Sequence, residues 1–290
     1  MLVAAVRAMR PYQWTKNLLV FAALVFAQQA MNPALALVSL RAFAAFCLVS
    51  SAMYVFNDLM DVERDRAHPA KRHRPLASGA LSIPAGWGVA ALSTAGGLAL
   101  GYTIGRPFLL AIGGYAGLTV AYSLWLKRVA IIDVMTVAMG FVLRAIAGAL
   151  ALDVVFSNWL VVCTLFLALF LALGKRRREL ILLEQGAGGH RAVLNHYSVA
   201  YLDQLILIVA GGAVITYTIY TCSPDVVDRL HTDKLYVTLP FVVYGLFRYL
   251  HLIHHGEGGG DPSSTLIRDW PMAVTVVGWG AVCIVLIYIV

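Results

Sequence analysis

The chain has 290 residues, of which 60% are apolar and only 13% charged, with a formal net charge of +7. Soluble domains carry about 45–50% apolar and about 25% charged residues, so a single core surrounded by water is excluded and a chain embedded in a bilayer is indicated. The four cysteines (Cys47, Cys163, Cys222 and Cys283) lie apart in apolar stretches without C-x-x-C spacing, which argues against both a disulfide framework and a zinc site.

The segment from Met1 to Trp14 is basic but has no long apolar core leading to a small-residue cleavage site, and it reads as a cytoplasmic start. Crossing a bilayer takes about 20 mostly apolar residues, which gives spans at roughly 17–36, 39–58, 81–104, 107–126, 129–152, 157–174, 197–221, 234–254 and 270–290. Each is expected to be a helix, because lipid offers the backbone no hydrogen-bond partner. Asn32-Pro33 interrupts the end of the first. The expectation is an all-α integral membrane protein of nine transmembrane helices, with residues 1–290 forming one polytopic domain.

The charges sort by side. With the N-terminus in the cytoplasm, that face collects Arg7, Arg10 and Lys16, then Arg64, Arg66, Lys71, Arg72 and Arg74. Lys127, Arg128, Lys175, Arg176, Arg177, Arg178, Arg191, Arg248 and Arg268 join them, against Arg41, Arg106, Arg229 and Lys234 opposite. This positive-inside pattern gives an N-in, C-out topology. The net charge is therefore a topology signal, and nucleic acid is excluded as a partner.

Chemistry concentrates between Asn57 and Pro75. Asn57, Asp61 and Asp65 recur every four residues, so one helical face presents a column of oxygen ligands, and Asp58 lies three residues before Asp61. Mg²⁺ takes one or two carboxylates plus substrate phosphate oxygens, which suits this column. Lys71, Arg72 and Arg74 follow closely, as a metal–diphosphate requires: acids for the metal, bases for the phosphates. A solvated helix with mutual salt bridges is the plain alternative, but the polar column starts inside the apolar run VSSAMYVFND, where charge is costly.

The pattern N-D-x-x-D-x-x-x-D-R-x-H-P-x-K-x-x-R-P resembles the first aspartate-rich motif of the UbiA superfamily of intramembrane prenyltransferases. The resemblance implies a helical bundle around a central cavity, with Mg²⁺ and a diphosphate at its cytoplasmic mouth. UbiA-type aromatic prenyltransferases carry a second acidic motif after span 6. Here that place holds Gly174-Lys175-Arg176-Arg177-Arg178-Glu179, with Glu184 beyond. Such a basic loop suits direct phosphate binding, although a positive-inside anchor would look the same.

The segments Arg10–Asn17, Tyr122–Lys127, Phe141–Gly148 and Asp261–Asp269 resemble one subfamily, the decaprenyl-phosphate phosphoribosyltransferases. That implies transfer of 5-phosphoribose from phosphoribosyl diphosphate (PRPP) to a polyprenyl phosphate, at the cytoplasmic face of a bacterial inner membrane. PRPP brings a 5-phosphate and the acceptor lipid another phosphate, so more cations and fewer carboxylates are needed. The expected metal ligands are Asn57, Asp61 and Asp65, with Asp58, Asp61 and Asp65 catalytic. Lys16, Lys71, Arg72, Arg74, Tyr122, Lys127, Arg144 and Lys175 are the expected phosphate-binding set.

Arg144 lies within an apolar helix, eleven residues after Asp133 and close to its face. An intramembrane arginine is functional by default, and a bond to a helix carbonyl is the structural alternative. Asp133 is open between a partner for a cation and part of the metal site. His251, His254 and His255 end a helix without an acid or cysteine spaced to join them, and read as interfacial. His68 and His73 do not share a helical face, and the glycine stretch 256–260 is no phosphate loop. An aromatic prenyltransferase is the rival enzyme reading, disfavoured by the missing second acidic motif. A transporter would need broken helices or an ionisable path through the bilayer, and the polar residues collect at one face instead.

Overall fold

The computed structural model describes residues 1–69, 71–155, 157–184, 192–255, 265 and 268–289. Arg191, the 256–260 glycine stretch and Asp261-Pro262 lie outside these residues. The described residues are mostly helical and contain no strand. Its helices are α1 (Leu2–Met9), α2 (Ala22–Phe26), α3 (Pro33–Met60), α4 (Val62–Ala67), α5 (Ile83–Ile104), α6 (Arg106–Leu124), α7 (Ile132–Leu152), α8 (Asn158–Glu184), α9 (Val199–Cys222), α10 (Pro224–Leu230), α11 (Leu239–His254) and α12 (Trp270–Tyr288). A 3-10 helix over Pro11–Phe21 joins α1 to α2.

Among the described residues, eight helices are long and apolar enough to cross a membrane, from Pro33–Met60 to Trp270–Tyr288. They match the second to ninth expected spans. The first expected span differs: it is a 3-10 helix followed by the five residues of α2. Asn32-Pro33, read as an interruption, is instead the start of α3. The Asn32 side chain accepts from the backbone N–H of Ala34 and Leu35, and Pro33 takes the first helical position, where no N–H is needed. Ser82-Ile83-Pro84 and Asp269-Trp270-Pro271 start α5 and α12 the same way, each with a side-chain cap. The basic stretch after span 6, read as a loop, lies within α8. Lys, Arg, Glu and Leu are good helix formers, so the helix continues through it.

The chain divides into two compact units, each described by itself: 1–24 with 32–136 and 143–154, and 25–31 with 137–142 and 155–290. In the first, Phe46, Phe108, Ile112 and Tyr115 form a buried core with Val20 and Ala147. Phe46 meets Phe108 edge-on, with ring centroids 5.9 Å apart. Close packing depends on two glycines. A Cβ on Gly97 would stand 2.5 Å from Val49, and one on Gly148 would collide with the Val20 carbonyl. In the second unit, Tyr217, Tyr220, Leu235, Cys283 and Ile287 form the core. Trp279 Nε1 donates to the Tyr217 hydroxyl at 2.8 Å, which itself lies 2.6 Å from Thr238 Oγ1.

Candidate active site

The acidic column forms where α3 gives way to α4. Asp61 separates the two helices, yet the i to i−4 ladder runs through it. Asp61 N–H donates to the Asn57 carbonyl at 3.0 Å, and Asp65 N–H donates to the Asp61 carbonyl at 2.8 Å. The bend therefore preserves the four-residue spacing that the sequence suggested.

Each carboxylate is matched to a cation. Arg10 Nη2 donates to both Asp58 oxygens at 2.6 and 2.8 Å. Arg74 Nη1 bridges Asp58 Oδ1 at 2.9 Å and Asp65 Oδ2 at 2.7 Å. Lys127 Nζ, from the turn after α6, reaches both Asp61 oxygens at 2.9 and 2.8 Å. Arg64 adds a longer contact to Asp61 at 3.6 Å. Four segments thus meet within the first unit: the end of α1, the α3–α4 junction, the turn at Arg74 that soon follows it and the turn at Lys127.

Asp58 and Asp65 are buried, whereas Asp61 is half-buried. Burial opposes the charge on Arg10, but the Asp58 carboxylate and its hydrogen bonds more than offset this, raising the guanidinium pKa above its ordinary value. Burial and then the nearby Lys71 lower the His68 pKa from its usual value. Lys71 and Arg72 are exposed, Lys16 and Tyr122 half-buried. Among the described residues no three His, Cys, Asp or Glu side chains gather closely enough to hold a metal ion by themselves.

Arg144 is buried in a polar pocket of the same unit. Its Nε donates to Asn17 Oδ1 at 2.8 Å and its Nη2 to the Tyr115 hydroxyl at 2.8 Å, with the guanidinium 4.6 Å from the Tyr115 ring centroid. Asn17 Nδ2 in turn donates to Ser50 Oγ at 3.1 Å. Arg144 therefore ties α7 to the 3-10 helix and to α6. Asp133 is fully buried near the start of α7.

Lys175 belongs to the second unit. Its neighbours Arg176 and Arg177 are buried and engaged. Arg176 pairs with Glu179 at 2.7 Å. Arg177 donates to Asp203 at 2.6 Å and to the Ile253 carbonyl at 2.9 Å, tying α8 to α9 and α11. Lys175 makes no ion pair among the described residues. The histidines closing α11 stay near the protein surface, with His251 and His255 ring centroids 4.0 Å apart. Asp269 caps α12, and its hydrogen bonds from Arg248 hold it below the usual carboxylate range.

Sequence reasoning missed Arg10, Asn17 and Tyr115 as parts of these networks. The first two lie inside the Arg10–Asn17 segment already singled out. Tyr115 had no local signal, because only the fold brings it to Arg144.

The sequence profile of the UbiA prenyltransferase family matches residues 17–178, which include the whole acidic column. The chain belongs to the UbiA prenyltransferase family. It is an integral membrane protein and an enzyme of this transferase family. It is 33% identical to the decaprenyl-phosphate phosphoribosyltransferase of Mycolicibacterium smegmatis over 94% of this chain and 89% of that one. It is likewise 33% identical to the Corynebacterium glutamicum enzyme of the same name, over 98% and 86%. A UbiA homolog from Archaeoglobus fulgidus, solved with GPP and Mg²⁺ bound, superposes with a TM-score of 0.74 at 18% identity. That match covers 99% of this chain and all of the other, and it shows a shared fold.

Proposed function

We propose that this UbiA-family enzyme transfers 5-phosphoribose from PRPP to a polyprenyl phosphate with the help of Mg²⁺. The observation that carries the reading is the interleaving of Asp58, Asp61 and Asp65 with Arg10, Arg74 and Lys127, in which Arg74 is shared by Asp58 and Asp65. A site for a metal–diphosphate needs both signs within reach, and a purely structural ion pair needs no third acid. The full-length relatives named for this reaction support the choice of donor and acceptor.

The donor set suits a magnesium ion. Asp61 and Asp65 offer hard carboxylate oxygens with Asn57 beside them, and substrate phosphates would complete the coordination. When bound, the ion would offset charge on the diphosphate leaving group. Lys127 and Arg74 would steady the phosphate oxygens as positive partners. Asp58, held by two guanidiniums, would keep Arg10 and Arg74 aimed at the site. Lys16, Lys71, Arg72, Tyr122 and Arg144 complete the proposed phosphate-binding set of the first unit, and Lys175 on α8 is proposed, by itself, as a further phosphate-binding cation. An oxygen of the lipid phosphate attacks the anomeric carbon as its bond to the diphosphate breaks, and the diphosphate leaves with the electron pair. The phosphate is already ionised, so no general base is required, and positioning with charge neutralisation does the catalysis.

We also propose nine crossings, N-in and C-out, with residues 1–290 acting as one polytopic domain in a bacterial inner membrane and the site facing the cytoplasm. The positive-inside charge distribution supports the orientation. The 3-10 helix and α2 would supply the first crossing. Their eleven and five residues, at about 2.0 and about 1.5 Å each, span roughly 30 Å, the thickness of the hydrocarbon core.

Ligand-induced stabilisation tests the site. PRPP with Mg²⁺ should raise the unfolding temperature of the purified protein, and Asp61→Asn should abolish that rise. Equal stabilisation of Asp61→Asn would remove Asp61 from the site.

A further inference from the structure

The first helix has two faces of opposite character. Ala4, Ala5 and Ala8 pack with Val55, Leu59 and Ala90 in one apolar cluster, which seats α1 where α3 ends and α5 begins. Turned away from that cluster, Leu2 and Val3 are 79% and 81% exposed, and Val6 is exposed beside them. One turn takes about 3.6 residues, so these three fall within about 100° of the circumference, the width of the apolar stripe on an amphipathic helix. Arg7, also exposed, borders the stripe.

The level of this stripe is set by what α1 packs on. Ala90 stands near the start of α5, and Trp87, three residues before it, is exposed, with its ring edge-on to Phe56 at a centroid distance of 6.0 Å. An exposed tryptophan near the end of a membrane-crossing helix marks the boundary between headgroups and acyl chains. The stripe on α1 is thus level with the membrane surface. Apolar groups at that level are taken up by lipid, while an arginine at their edge keeps its stem in the apolar layer and its head at the phosphates.

The other end of α1 leads to the candidate site. Arg10 takes left-handed backbone, φ 54° and ψ 60°, and so ends the helix before Pro11. A side-chain-bearing residue in this region is strained and persists only where its surroundings hold it. Beyond the turn, Trp14, Asn17 and Val20 form the inward row of the 3-10 helix, three residues apart as its pitch requires. Trp14 Nε1 donates to Ser51 Oγ at 3.0 Å and anchors that side. Before the turn, α1 supplies the hold, and between the two Arg10 reaches Asp58.

We propose that α1 is an interfacial helix on the side of the membrane that carries the acidic column, with Leu2, Val3 and Val6 set among lipid acyl chains and Arg7 at the lipid phosphates. The bilayer then steadies one end of the Arg10 turn. Neither contact depends on which donor the enzyme uses.

Nitroxide labels on the protein in vesicles of phosphatidylcholine and phosphatidylglycerol test this. Their relaxation is compared with oxygen, which partitions into acyl chains, and with a water-soluble nickel chelate. Labels are attached through Val3→Cys, Val6→Cys or Arg7→Cys after Cys222→Ser and Cys163→Ser remove the exposed and half-buried native thiols. Leu92→Cys, at a position 77% exposed along α5, is the reference for the acyl layer. Labels at Val3 and Val6 should lie about 5–10 Å inside the boundary and relax chiefly with oxygen, as the label at Leu92 does, and the label at Arg7 should be shallower. Adding Leu2→Asp and Val3→Asp should lift the label at Val6 into reach of nickel, with helix content by circular dichroism unchanged because neither side chain is buried. Labels at Val3 and Val6 that relax chiefly with nickel would place the stripe in water and overturn the proposal. Labels reached by neither reagent would mean that protein, such as a second copy of the chain, covers the stripe, and would overturn it equally. A label at Val6 unmoved by the two aspartates would show that this face does not hold the helix to lipid, with the same consequence.

Discussion

Asp58→Asn separates bracing from chemistry. Asp58 accepts three charge-assisted bonds, two from Arg10 and one from Arg74, and its side chain is only 2% exposed. Removing one partner of a buried ion pair costs about 3–5 kcal/mol. Arg10 and Arg74 are 19% and 26% exposed, so water recovers part of this, and Arg74 keeps Asp65. The low end, about 3 kcal/mol, is the expected loss, which lowers the unfolding temperature by roughly 6–12 °C for a chain of this size. Asp61 is 20% exposed and paired chiefly with Lys127, so Asp61→Asn should cost about 1 kcal/mol while eliminating transfer. Intrinsic tryptophan fluorescence during thermal unfolding in detergent, beside a transfer assay, reads both effects. Combining Asp58→Asn with Arg10→Gln should cost about 2 kcal/mol less than the sum of the singles. Wild-type stability in Asp58→Asn, or the larger loss in Asp61→Asn, would refute this division of roles.

Further outcomes follow from the same geometry. Lys175→Ala should weaken PRPP binding by roughly ten- to a hundredfold with little loss of stability, whereas Arg177→Ala, which frees Asp203 and the Ile253 carbonyl, should lower the unfolding temperature. Titration and thermal unfolding of the two variants check both. Arg144→Lys cannot reproduce the guanidinium's simultaneous reach to Asn17 and Tyr115, and should destabilise the protein by about 2 kcal/mol in the same unfolding measurement. Gly148→Ala should lower stability by about 1–3 kcal/mol, because its methyl group meets the Val20 carbonyl rather than a side chain that can move.

The apolar spans and the acidic column were legible because both depend on local periodicity. Eight helices follow the hydropathy pattern, and the Asn57–Asp61–Asp65 spacing persists through the bend because the backbone ladder does. The 3-10 helix was not legible from hydropathy, which registers apolar content and not helical pitch; its three-residue exposure pattern appears only once the inward row is known. Asn32-Pro33 was read as a break because proline stops a helix from within, although behind a capping residue it begins one. The cation partners were harder still. Nothing local joins Arg10 to Asp58 or Arg144 to Tyr115, and the burial of Arg177 beside half-buried Lys175 depends on neighbouring helices. Charge pattern identified the residues, and the fold paired them.

The most direct measurement offers the purified protein labelled PRPP with polyprenyl phosphate, and separately labelled prenyl diphosphate with 4-hydroxybenzoate, both with Mg²⁺. Labelled lipid-linked phosphoribose from the first mixture and no product from the second is the predicted result. Prenylation of the arene with PRPP left untouched would contradict the donor assignment and leave only the family membership standing.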